Sequence, residues 1–147
     1  MNIVEINAMI LALECGAMSL AQVVSWADEL IIEFAVPDDR LFDVSTAKHI
    51  NDAVIALQAF GDSESQSIVA QKAFHLFSVG IEQSLTSHEQ VAQKIYYMAL
   101  ADQIPHEEAE GHMFSFWDEL DLANAGVYGN PADIRHELVM FIRRYES

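Results

Sequence analysis

Residues 130–144 read NPADIRHELVMFIRR, and the whole grammar of a helix lies in that one line. Asn130 can cap the first free amides. Pro131 suits the first helical position, where a missing N–H leaves nothing unpaired, and Asp133 sets an acid against the positive end of the helix dipole. Ile134, Leu138, Phe141 and Ile142 then recur at the three-to-four spacing of one buried face, with Arg143 and Arg144 at the negative end.

The same grammar repeats toward the N-terminus. Gly126 and Gly129 mark the loop before this helix. Pro105 suits the first turn of another helix, with Glu107 and Glu108 favouring its start. Both Thr86–Glu89 and Ser87–Gln90 fit capping boxes, in which a hydroxyl and a carboxylate or amide side chain satisfy each other's free amides. They open a helix placing Val91, Ile95, Met98, Ala99 and Asp102 in register. Ser63–Gln66 opens another over Ile68, Val69, Phe74, Phe77, Ile81 and Leu85, where Gly80 marks a bend or a close approach. Gly61 and Asp62 close a helix that Asp43 or Ser45 can cap, with Ala47, Ile50, Val54, Leu57 and Phe60 inward. Residues 37–43 form an acidic connection. Ser19–Gln22 opens a helix to about Ala35, carrying Val23, Trp26, Ala27, Leu30, Ile31 and Phe34, which Pro37 ends. The first helix, residues 2–15, sets Ile3, Ile6, Ile10 and Leu13 on one stripe, and Gly16 stops it.

No β-branched run alternates in strand fashion, and no Asn-Gly or Asp-Gly pair signals a hairpin. The expectation is an all-α protein, a single domain over residues 1–147 in which six or seven helices pack in a bundle-like manner. The segments differ in length and apolar pattern, which argues against a repeat array.

The charge is the most unusual property. Twenty-three Asp and Glu face seven Lys and Arg, a formal net charge of −16. Such a surface repels nucleic-acid phosphates and anionic membranes and speeds encounter with cationic proteins. No run approaches about 18 uncharged apolar residues, so no membrane helix is expected. The N-terminus lacks the basic region of a signal peptide, and Cys15, the one cysteine, can form no internal disulfide. The expected location is the cytoplasm.

Catalytic and metal motifs are poorly represented. His106-Glu-Glu-Ala-Glu110-Gly-His112 lacks the second His four residues after the first that a zinc peptidase needs, although His106 with Glu110, or Glu108 with His112, could share a helical face. Cys15 has no basic neighbour in sequence to activate it, and no nucleophile elbow or phosphate-cradling loop occurs. No enzyme activity, metal or cofactor is expected. A metal-dependent helical enzyme using His106, Glu110 and His112 is the alternative, and a helical adaptor or chaperone with an apolar groove is another.

Binding chemistry is better marked. Residues 95–134 hold Asp102, Glu107, Glu108, Glu110, Asp118, Glu119, Asp121 and Asp133 with neither Lys nor Arg before Ile134. Phe114, Phe116, Trp117 and Tyr128 are set among them. Phe114, Trp117 and Leu120 follow a core spacing, whereas Phe116 lies off it; either Trp117 or Phe116 could instead reach an interface. Trp26 is expected in the core. The predicted partner-binding residues are Asp102, Glu107, Glu108, Glu110, Trp117, Asp118, Glu119 and Asp121, with Asp38 and Asp39 as a weaker pair.

On its size, its helical content, the acid-rich aromatic segment 102–121 and the lack of a catalytic motif, the chain resembles the small acidic immunity proteins of bacterial toxin systems, such as those paired with contact-dependent growth-inhibition toxins. The resemblance implies a protein that binds a basic, nuclease-type toxin domain and blocks its active site or substrate groove. Carboxylates would then stand where phosphates would lie.

Overall fold

The first helix, α1 (Ile3–Glu14), is buried along two faces, and the rest of the chain divides into the helices that cover each. The computed structural model describes residues 2–146. Among them are eight α-helices, one 3₁₀ turn and no strand: α2 (Leu20–Glu33), α3 (Arg40–Ser45), α4 (Ile50–Gln58), α5 (Gln66–Glu82), α6 (His88–Leu100), the 3₁₀ turn Glu107–Ala109, α7 (Glu110–Asn124) and α8 (Pro131–Tyr145). The fold is all-α.

One face of α1 gives Ile6, Met9 and Leu13 to a smaller core with Val23 and Ala27 of α2, Leu41 and Val44 of α3, and Ala53, Val54 and Leu57 of α4. The other gives Ala8, Leu11 and Ala12 to a larger core with Val69, Phe74 and Phe77 of α5, Ile95 and Met98 of α6, Met113, Phe116 and Leu120 of α7, and Leu138, Phe141 and Ile142 of α8. The single stripe expected for α1 is therefore half of the picture. A helix apolar nearly all round is one enclosed on more than one side. The small Ala8 and Ala12 let α5 lie close along it. Gly80 of α5 belongs to the same contact. A Cβ there would sit 2.6 Å from the Ala17 carbonyl oxygen, so this glycine marks close packing.

Two polar links tie the parts together. Asn7 is buried in α1, yet its side chain donates to the Gly61 carbonyl (2.9 Å) and accepts from the Ser63 amide (2.8 Å). Both halves of the amide are thus satisfied, as burial demands, and the α4–α5 connection is pinned to α1. At the far end Thr86 donates to the Cys15 carbonyl, and Lys94 of α6 pairs with Glu14 at 3.0 Å.

The helix starts follow the sequence in part. Ser19–Gln22 and Ser87–Gln90 both form complete capping boxes, and Asn130 caps α8 with Pro131 at its first position. Ser63–Gln66 does not form one. Gln66 instead donates back to the Ser63 carbonyl, Ser63 takes the Ser65 amide, and α5 begins two residues later than the pattern suggests. The connection expected over 37–43 is helical from Arg40, and the helix expected through Phe60 is two: α3 buries Leu41 and Val44, the chain turns extended at His49, and α4 restarts. The break lets α3 lie on α2 while α4 turns back onto α1, which one straight helix could not do. It brings the count to eight α-helices among the described residues, against the six or seven expected.

Candidate partner-binding site

The segment from Asp102 to Asp121 runs from the end of α6 into α7. Asp102 has φ +58°, in the left-handed region, where the chain reverses after α6. Pro105 is buried, and its carbonyl accepts from the Gln71 side chain of α5 at 3.2 Å. This sideways bond holds Pro105 in the connection, ahead of an extended His106, so the expected helix start moves downstream. The His106 Nδ1 accepts the Glu108 amide at 3.1 Å, and the 3₁₀ turn passes directly into α7.

Glu107, Glu108 and Glu110 are exposed around this entry, and Asp118, Glu119 and Asp121 are exposed further along α7. Among the described residues none of these six, nor Asp102, pairs with Lys or Arg; the nearest approach is Glu108 to His106 at 3.9 Å. The basic residues that do form ion pairs are engaged elsewhere. Lys94 holds Glu14, Arg40 holds Asp38 and Arg135 holds Glu89. Among the described residues the carboxylates of the Asp102–Asp121 segment are therefore not neutralised by direct pairing with a Lys or Arg.

The core stripe of α7 is Met113, Phe116, Leu120 and Ala123. This corrects the expectation for the aromatics. Phe116 is 4% exposed and packs against Phe141 at 5.3 Å, while Phe114 and Trp117 flank the core half-buried. The true stripe opens with Met113, one residue ahead of the aromatic run, so the three-to-four spacing of the larger side chains is misleading. Trp26, expected inside, is also half-buried, at the margin of the smaller core.

Helical spacing puts Glu110, Phe114, Trp117, Asp118 and Asp121 on one side of α7 and turns Glu119 to another. Across from that side lies α6, with Tyr96 and Tyr97. Tyr96 meets Phe114 edge-on at 5.8 Å and Trp117 at 5.3 Å, and Tyr97 meets Trp117 at 5.8 Å. A groove of about 550 Å³ opens here, lined by Tyr96, Phe114, Trp117, Asp118 and Asp121. Of the residues expected to bind a partner, the structure gathers Trp117, Asp118 and Asp121 in one concavity. Glu107, Glu108 and Glu110 stand at the start of the same helix, and Asp102 and Glu119 lie outside the groove. Tyr96 and Tyr97 were missed by the sequence reading. The available signal was that two large aromatics fall off the Val91–Ile95–Met98 stripe of α6.

The weaker pair fares differently. The Asp38 carboxylate is spent on Arg40, meeting the guanidinium at 2.7 and 3.0 Å and the Arg40 amide at 3.0 Å. These bonds hold its pKa down to about 2. Arg40 also lies over the Phe60 ring, 4.4 Å from its centre. Asp39 is exposed.

Among the described residues no three His, Cys, Asp or Glu side chains gather as metal ligands. His106 stacks on Tyr145, and His112 tilts against Phe116 and Phe141. Burial pushes the Cys15 thiol up to about 11, outweighing nearby hydrogen bonds and Lys94, so it stays protonated at neutral pH. No described helix is long and apolar enough to cross a membrane. Comparison with protein-family models, curated proteins and solved structures finds no match.

Proposed function

We propose that this chain is a non-enzymatic acidic binding protein of the immunity type, which docks on a basic, nuclease-type toxin domain and occludes its active site or substrate groove. The observation that carries this reading is that, among the described residues, no Lys or Arg pairs with Asp102, Glu107, Glu108, Glu110, Asp118, Glu119 or Asp121, and that an aromatic groove opens beside them. Like charges left together on one helix cost a few tenths of a kcal/mol per pair, and a cationic partner offsets that cost. Trp and Tyr are also enriched among the residues that anchor protein interfaces. Nucleic acid and anionic membranes are poor partners at this net charge, and the cytoplasm is the proposed location.

The test is co-purification with the product of the adjoining reading frame, followed by its nuclease assay. A basic toxin domain silenced at one-to-one stoichiometry is the expected result. A neighbour that is neither basic nor bound, in an operon of housekeeping enzymes, sinks the reading.

A second reading, a helical adaptor, draws on a different observation. Ile32 is 84% and Val36 90% exposed at the end of α2, with Phe34 and Phe42 nearly half exposed nearby in sequence. Docking through these side chains would persist in high salt, whereas docking through the α7 carboxylates would not.

A further inference from the structure

We infer that the groove between α6 and α7 is a receptor for an arginine side chain presented by the basic partner. The inference rests on the docking reading above and specifies which partner group is bound.

The groove combines two chemistries that a guanidinium uses together. Tyr96, Phe114 and Trp117 form its aromatic wall, packed edge-on and tilted so that their relative positions are set by one another. Asp118 and Asp121 lie on the same side of α7, three residues apart, and line the same space. A guanidinium is planar and weakly hydrated. It can lie against an aromatic face while its edge donates to carboxylates in a forked pair. A lysine ammonium is compact and strongly hydrated, so it gives up more on leaving water and gains no plane-on-plane contact. Neither carboxylate meets a Lys or Arg of this chain among the described residues, so both are available to a charge supplied from outside. The groove's volume lies within the range of about 300–1,000 Å³ typical of ligand sites, room for the side chain and part of the backbone that carries it.

The same pairing exists inside the molecule in miniature. Arg40 is held by the Asp38 carboxylate while lying over the Phe60 ring. The α6–α7 groove offers the equivalent surroundings with no arginine in them. Tyr97, 49% exposed beside Trp117, extends the aromatic surface at the groove's edge.

The experiment uses the full chain and two capped synthetic peptides of equal charge, arginine alternating with glycine and lysine alternating with glycine. Binding is followed by the indole N–H resonances, Trp117 being assigned with Trp117→Phe and Trp26 serving as internal control. The arginine peptide should bind roughly three- to ten-fold tighter than the lysine peptide, the factor expected for a partly solvated cation–aromatic contact. It should move the Trp117 signal and leave Trp26 in place. Tyr96→Leu should abolish that preference, the larger loss falling on the arginine peptide, and Asp118→Asn with Asp121→Asn should weaken both. Equal binding of the two peptides with Trp117 unmoved overturns the arginine receptor and leaves an acidic docking face. Failure of both peptides to bind at low salt removes the docking reading itself.

Discussion

Two acidic segments of this molecule look alike on paper and differ in what they can offer. Asp38 and Asp39 sit beside Arg40, and Glu107, Glu108 and Glu110 stand at the start of α7, with Asp118 and Asp121 two turns on. In the first, one carboxylate is consumed by the guanidinium two residues away, which in turn covers Phe60. In the second, no carboxylate pairs with a Lys or Arg among the described residues. The difference teaches that charge counted along a sequence is not potential offered to a partner. A single arginine at close range converts an acid from a docking group into part of a loop's internal wiring.

The largest effect separating the two should be kinetic. Reversing Glu107, Glu108 and Glu110 to Lys should slow association with a basic partner by about 10- to 100-fold at low salt and flatten its salt dependence. The matching reversal of Asp38 and Asp39 should leave the rate nearly unchanged in stopped-flow mixing. Equal slowing by both would erase the distinction. Next in size, Trp117→Leu should accelerate dissociation by about ten-fold with little change in the association rate, because an anchor acts after encounter. A purely electrostatic face would lose nothing on that substitution.

The paired acids should report in stability. Glu89 accepts from Arg135 at 2.5 and 2.8 Å and from Asn124 at 3.2 Å, tying α6 to α7 and α8. Burial alone would raise its pKa, but these bonds outweigh it and the net shift is downward. Glu89→Gln should cost about 0.5–1 kcal/mol in urea unfolding, the range for a partly exposed ion pair, whereas Glu107→Gln should cost less than about 0.5 kcal/mol. A larger loss at Glu107 would mean that the α7 carboxylates serve the fold.

The smallest effect is the acid titration of Asp38. Its pKa falls from 3.8 to about 2 on folding. A depressed carboxylate stabilises the folded state above its unfolded pKa, and that contribution disappears as pH drops from about 4 toward 2. Asp38→Asn should therefore lower the melting temperature slightly at neutral pH, and the gap to the parent should close over that window. Partner binding at pH 7 should not change. A gap that persists at pH 2 would assign the stabilisation to the side-chain shape and not to its charge.

Much of the helical layout was legible because its signals are local. A capping hydroxyl, a proline at the first position and an apolar residue every third or fourth place act within one or two turns, and α2, α6 and α8 begin where those signals stand. The acidity of α7 and the shortage of nearby cations were equally plain. What lay beyond the sequence depended on contacts between distant residues. The break between α3 and α4 is set by which helix each must cover. The start of α7 is set by Gln71 reaching Pro105 from α5, and the bond of Asn7 to Gly61 and Ser63 spans more than fifty residues.

The candidate site divides along the same line. Composition and spacing determined an all-helical chain with a strongly negative segment and aromatics within it, since both follow from residue type and helical period. Tertiary packing decided that Phe116 goes inward and Trp117 stays at the edge, that Tyr96 from another helix completes the wall, and that Asp38 is already occupied. A groove exists only between elements, and an ion pair only between side chains brought close. Neither is a property of a stretch of sequence read alone.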